Sequence, residues 1–208
     1  DTTALDLVAL TAASLSATSG GAVTDSGTLA IAGATTISAS GQDITLDQAA
    51  STFGTLALTG VNVAVTESAA TDLGASTVSG TLGITSAGAV TDSGTLAVTG
   101  ATTISASGQD ITLDESASTF GTLALTGANV AVTDAGAVDL GASTVSGTFA
   151  ITSGGAVSDS GTLAITGATT ISASGQDITL DESASTFGTL ALTGANVAVT
   201  DAGATDLG

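Results

Sequence analysis

Apolar and polar residues alternate along most of this chain. In Thr122-Leu123-Ala124-Leu125-Thr126 the two leucines fall on one side of an extended backbone and the small residues on the other, as a half-buried strand requires. The same period of two runs through Leu96 and Val98, Ile111 and Leu113, and Val130 and Val132, each flanked by Thr, Ala, Asp or Asn. Helical spacing is never sustained. The pattern predicts strands of about five residues, separated by Gly, Ser, Asp and Asn where turns need their backbone tolerance.

These strands recur in a fixed order. SGQDITLD stands at residues 40–47, 107–114 and 174–181, which sets a 67-residue period. Residues 75–141 and 142–208 differ at six positions: Leu82/Phe149, Gly83/Ala150, Ala87/Gly154, Thr91/Ser158, Val98/Ile165 and Val138/Thr205. The organisation is therefore a partial preceding repeat (1–7), repeat 1 with a divergent start (8–74), repeat 2 (75–141) and repeat 3 (142–208). The final Asp206-Leu207-Gly208 matches Asp72-Leu73-Gly74 and Asp139-Leu140-Gly141, after which both earlier copies continue, so the array is expected to extend beyond both ends. Within the later two copies a shorter GTLxxT motif, or a close variant, starts at Gly80, Gly94, Gly121, Gly147, Gly161 and Gly188. Nested periodicity of this kind predicts a solenoid, in which each coil buries its apolar side by stacking on its neighbour.

A row of immunoglobulin-like sandwiches is the main competing plan, and core filling decides against it. A sandwich core is about 10 Å thick and is usually filled by large side chains. Here the large residues are four Phe, at 53, 120, 149 and 187, and the rest is Leu, Ile, Val and Ala. The expectation is an all-β parallel β-helix (β-solenoid), right-handed, with about 22 residues per coil if each repeat forms three coils. Five two-strand coils of about 13 residues fit the motif spacing almost as well.

Composition then narrows the chemistry. The 208 residues contain no Lys, Arg, His, Cys, Met, Pro, Trp or Tyr, and 19 Asp and Glu give a formal charge of −19. No basic patch exists to hold nucleic acid, and an anionic membrane is a poor partner. No apolar run approaches the roughly 20 residues that span a bilayer, so membrane insertion is not expected. Disulfides and thiolate metal sites are absent with Cys, and a Ser nucleophile lacks a His or Lys base. Paired carboxylates remain as catalysts, but Asp110 and Asp114 lie about 13 Å apart along one strand at roughly 3.3 Å per residue. Glycosidase pairs need about 5 to 10 Å. The chain is not expected to be an enzyme.

Phrases such as GTLAVTGATTISASGQDITL and STFGTLALTGANVAV resemble the repeat region of large bacterial exoproteins similar to filamentous haemagglutinin. That resemblance implies a right-handed parallel β-helix, export to the bacterial cell surface and a part in adhesion. The expected role is a rigid extracellular spacer or adhesive fibre on the cell surface or in a matrix. Its partners would be neighbouring repeats or identical subunits stacked end to end, with any host or surface ligand held by other regions.

Two alternatives rest on particular residues. A calcium-stabilised surface-layer or matrix protein would use the recurring hard oxygen ligands Asp43 and Asp47, Asp110, Asp114 and Glu115, Asp177, Asp181 and Glu182, with the turn residues Asp134 and Asp201. Neither the EF-hand pattern nor the calcium-binding nonapeptide repeat is present, and a solvated acidic face accounts for the same residues. An ice-binding solenoid would use outward Thr, although the GTLxxT spacing does not set Thr above Thr in every coil.

Overall fold

The structure is a computed structural model that describes residues 3–106, 108–204 and 206. Asp1, Thr2, Ser107, Thr205 and the closing Leu207-Gly208 lie outside the described residues, and with them the end of the pattern matched to Asp72-Leu73-Gly74. The described residues form a parallel β-solenoid of about ten turns without a helix. Every strand pairing is parallel, each strand meeting the one a full turn earlier and later.

The turn is shorter than a third of a repeat, and the reason lies in how the repeat is divided. Strand starts at Val23, Ala34, Ile44, Thr55, Val63, Thr71 and Leu82 cut one repeat into seven half-turns, after which the pattern begins again at Val90. Three half-turns are bent and longer, running from Val23 to Gly33, Ile44 to Gly54 and Thr71 to Thr81. They carry Val23–Asp25 with Leu29–Ile31, Ile44–Leu46 with a bridge at Thr52, and Thr71–Leu73 with Ser76–Val78. The other four are straight and shorter, and each carries a single strand of five or six residues. Successive half-turns lie in alternate sheets.

Seven is odd, so a repeat makes three and a half turns and its copy lands on the opposite face. Val23–Asp25 belongs to one sheet and its counterpart Val90–Asp92 to the other. Only the next copy, Val157–Asp159, returns to the first sheet, seven strand-to-strand steps beyond Val23–Asp25. Two repeats therefore complete seven turns, which sets the turn at about 19 residues. Three coils of 22 and five of 13 both assume that equivalent residues stack on the same side. With strands about 4.8 Å apart, a repeat advances about 17 Å, in place of the roughly 14 or 24 Å those coil counts give.

The core is a set of columns running along the axis. One passes through Val23, Ile44, Val63, Leu82, Thr102, Leu123 and Leu140, each paired with the next. All seven are buried. A second passes through Val65, Ile84, Ile104 and Leu125. Where the bent half-turns leave the ladder, buried serines take over. Ser51, Ser118 and Ser185 accept from the amides of Leu29, Leu96 and Leu163 at 3.0 Å, so backbone that bends away from its neighbour keeps a partner.

Two glycine positions explain the recurring motifs. In SGQD the chain turns with Gln42 donating to the Ala39 carbonyl at 2.9 Å, and Gly41 has φ +79, a conformation that side chains resist. Gly108 and Gly175 repeat it with φ +78 and +77. The GTL glycine is a close crossing instead: a Cβ on Gly121 would stand 2.5 Å from the carbonyl oxygens of both Thr99 and Gly100.

Candidate functional site

Strand alternation sends some acids where a solvated face would not hold them. In Val63-Ala64-Val65-Thr66-Glu67 both valines point inward, and so does Glu67 two residues on, 2 % exposed. Its carboxylate accepts from the Phe53 amide at 2.7 Å and the Thr71 hydroxyl at 2.9 Å. Asp134, its counterpart, is also 2 % exposed and accepts from the amides of Phe120 at 3.0 Å and Gly136 at 2.6 Å. Asp25, Asp92 and Asp159 follow the inward valine of their strands in the same way. They accept from the amides of Asp47, Asp114 and Asp181, each at 2.8 Å.

These inward acids cap loops of an adjoining turn, and their surroundings contain no cationic side chain because the chain has none. Burial pushes the carboxyls of Asp25, Glu67, Asp92, Asp134 and Asp159 above the usual carboxylate range, and the amide hydrogen bonds only partly offset it. At Asp92 the nearby Asp114 and Glu115 add to the rise. Of this set only Asp134 is among the candidates named from the sequence. The others are legible in the alternation, since an acid two residues after an inward valine shares its face.

The remaining candidates are dispersed. Asp43 stands at the edge of the rod, where its Oδ1 accepts from both nitrogens of Asn62, backbone and side chain, at 3.0 Å. Asn62 Oδ1 in turn accepts from the amide and hydroxyl of Thr81 at 3.1 Å. Asp110 begins the same ladder through Asn129 to Thr148 on the opposite edge, and Asp177 repeats its first step with Asn196. Asp47, Asp114 and Asp181 are exposed, Glu115 and Glu182 half-buried, all in the loops capped by the inward aspartates. Asp201 is half-buried and accepts from the Gly203 amide at 3.0 Å. Two acids outside the candidate set, Asp72 and Asp139, accept hydroxyl hydrogen bonds from the turns on either side, Thr55 and Ser93, Thr122 and Ser160.

Among the described residues no three acids come together in a group that could hold a metal ion. Calcium and magnesium chloride at equal ionic strength are therefore expected to raise the melting temperature equally, by screening the acids. A calcium increment above magnesium, read by differential scanning calorimetry, would show that some of these carboxylates converge on a bound ion.

An open depression of about 370 Å³ lies beside the first ladder, bordered by Asp43, Thr45, Asn62, Ala64, Gly83 and Thr103. It brings one carboxylate together with threonine hydroxyls and an amide, and no second carboxylate borders it to serve as an acid–base partner. Among the described residues no helix is long and apolar enough to cross a membrane.

The surface divides by type of half-turn. The straight strands Val63–Glu67, Leu82–Ser86, Ala101–Ser105 and Thr122–Gly127 succeed one another on one face. Their only acid, Glu67, points inward. Outward they carry Thr66, Thr85, Ser105 and Thr126 in register, with Ala64, Gly83, Thr103 and Ala124 beside them. Val130–Asp134, Phe149–Ser153, Ala168–Ser172 and Thr189–Thr193 make the equivalent face on the other side. Apart from the half-buried Asp201 in the last turn, the described acids that reach the surface belong to the bent half-turns and the edges beside them.

A family model described as repeats of unknown function (DUF5649) matches residues 1–59, 60–126 and 127–193. No curated protein and no solved structure matches the chain.

Proposed function

The chain belongs to the DUF5649 family of repeats of unknown function, and from that premise we infer that it is a length of structural rod, working as the spacer or fibre of a bacterial surface protein. One observation carries the reading: the apolar columns continue from turn to turn across all three copies, so each turn is stabilised mainly by the turns stacked on it and the array gains its purpose from length. Two features support an extracellular adhesin-like stalk. They are the acidic, cation-free composition and the resemblance of GTLAVTGATTISASGQDITL to filamentous haemagglutinin-type exoproteins. In this reading the rod is not an enzyme, and it joins end to end with further repeats or subunits.

Electron micrographs or fibre diffraction of the material should show thin, stiff rods with a strand spacing of about 4.8 Å and a true axial repeat of about 34 Å, halved to about 17 Å where the two faces are not resolved. Capped compact particles, or an axial repeat of about 14 or 24 Å, would contradict it.

Ice binding is a second reading, favoured by the outward column Thr66, Thr85, Ser105, Thr126 and Thr144, which the pairing holds in register over five turns. The column stands alone on its face, since its neighbour reads Ala64, Gly83, Thr103, Ala124, and its counterpart on the other face is Thr133, Thr152, Ser172 and Thr193. Thermal hysteresis of the purified chain separates the two readings.

A further inference from the structure

In a chain of charge −19, the two four-strand faces described above present Thr, Ser, Ala and Gly and no outward acid. Each straight stretch is backed mainly by the acidic bent half-turns on the other side of the rod, and the two kinds exchange sides after three and a half turns. A neutral face therefore recurs on both sides of the rod, displaced by about 17 Å and turned by half a revolution.

We propose that these faces are where the rod meets a second copy of itself, side by side, and that the half-turn of the repeat makes the association open, giving layers of rods and not closed pairs. It rests on the rod reading for its importance, because one contact is weak. Four strands of about five residues cover roughly 300 Å² per side, against about 800 Å² per partner in a stable pair. Only an array, with one such face per repeat, accumulates enough contact to hold.

The occupant follows from charge. A cationic partner would seek the acidic bent half-turns, whereas the straight faces are the one large area where two copies of a −19 chain can approach without setting carboxylates opposite each other. Because equivalent faces point in opposite directions, contact through one leaves the other available, and growth does not close.

The absence of cysteine makes the test direct. Thr85→Cys and Thr152→Cys place one thiol on each face at equivalent exposed positions, Thr103→Cys gives a second probe of the first face, and Thr91→Cys, exposed on a bent half-turn and in register with Asp72, is the control. Under mild oxidation at high protein concentration, Thr85→Cys or Thr103→Cys should form disulfide-linked dimers at least about tenfold faster than Thr91→Cys. Added salt should narrow the gap, because screening relieves the repulsion at the acidic control position more than at the neutral faces. The single variants should stop at dimers, and Thr85→Cys/Thr152→Cys should give a ladder of higher oligomers. Equal rates at straight and bent positions overturn the proposal, as does a double variant that yields no species above a dimer. If Thr85→Asp abolishes thermal hysteresis while crosslinking shows no preference, the faces belong to ice and the proposal fails. None of these results depends on the axial repeat, so failure of the rod reading is seen separately in the micrographs.

Discussion

Acidification from about pH 7 to about pH 4 should raise the melting temperature of this protein. Acid denaturation ordinarily protonates carboxylates that are paired in the native state, so that the unfolded chain binds more protons. Here no cationic side chain exists to pair with, and burial holds Asp25, Glu67, Asp92, Asp134 and Asp159 above the usual range. A carboxyl whose native value is raised takes its proton in the folded state first. The stability it contributes is fully present below the unfolded values, about 3.9 for Asp and 4.3 for Glu, and is lost as pH rises through the elevated native value. Relief of repulsion among the surface acids acts in the same direction. For a chain of this size each kcal/mol moves the midpoint by about 2–4 °C, so a gain of a few kcal/mol reads as roughly 5–10 °C. A melting temperature that is flat or falls between about pH 7 and pH 5 would show that the inward carboxylates lose less to burial than they gain from their amide donors.

The second large effect should come from three threonines in the core. Thr35 lies in register between Leu15 and Leu56, Thr102 between Leu82 and Leu123, and Thr169 between Phe149 and Leu190. All three are fully buried, and their hydroxyls have no hydrogen-bond partner. A buried hydroxyl in that state costs about 1–3 kcal/mol, and valine fills nearly the same space without it. Thr→Val at one site should therefore stabilise the rod by about 1 kcal/mol or more. The sites are several turns apart and should add, so the triple variant is expected to melt roughly 6 °C or more above the parent. Thr103→Val, one residue from Thr102 but facing outward, should change stability by less than about 0.5 kcal/mol. A triple variant no more stable than the parent would mean that the core supplies those hydroxyls with partners, such as an enclosed water.

The strands, their parallel stacking and the 67-residue repeat were legible because each depends on local alternation and exact recurrence. Leu123 and Leu125, or Val130 and Val132, announce an inward face without reference to the rest of the chain. The turn length was not legible. Counting assumes that one repeat closes a whole number of turns, whereas Val23–Asp25 and Val90–Asp92 lie on opposite faces, and only pairing across the chain reveals it. Bent and straight half-turns of unequal length hide the period further, since the distance between GTL motifs is not a multiple of the turn. Among the acids, reading by recurrence named Asp43, Asp110 and Asp177 as calcium candidates, without the asparagine ladders that they begin. It missed Glu67, Asp25, Asp92 and Asp159, because alternation places such an acid on the inward face but no local signal shows which loop will cap it there.

Near-identical copies such as 75–141 and 142–208 are natural substrates for unequal recombination, and the half-turn gives such events a parity. Removing one copy shortens the rod by about 17 Å and swings everything downstream to the opposite side. Removing two shortens it by about 34 Å and leaves the heading unchanged. Variants with even and odd numbers of copies would therefore aim the same downstream segment in opposite directions, a difference much larger than the small change in reach.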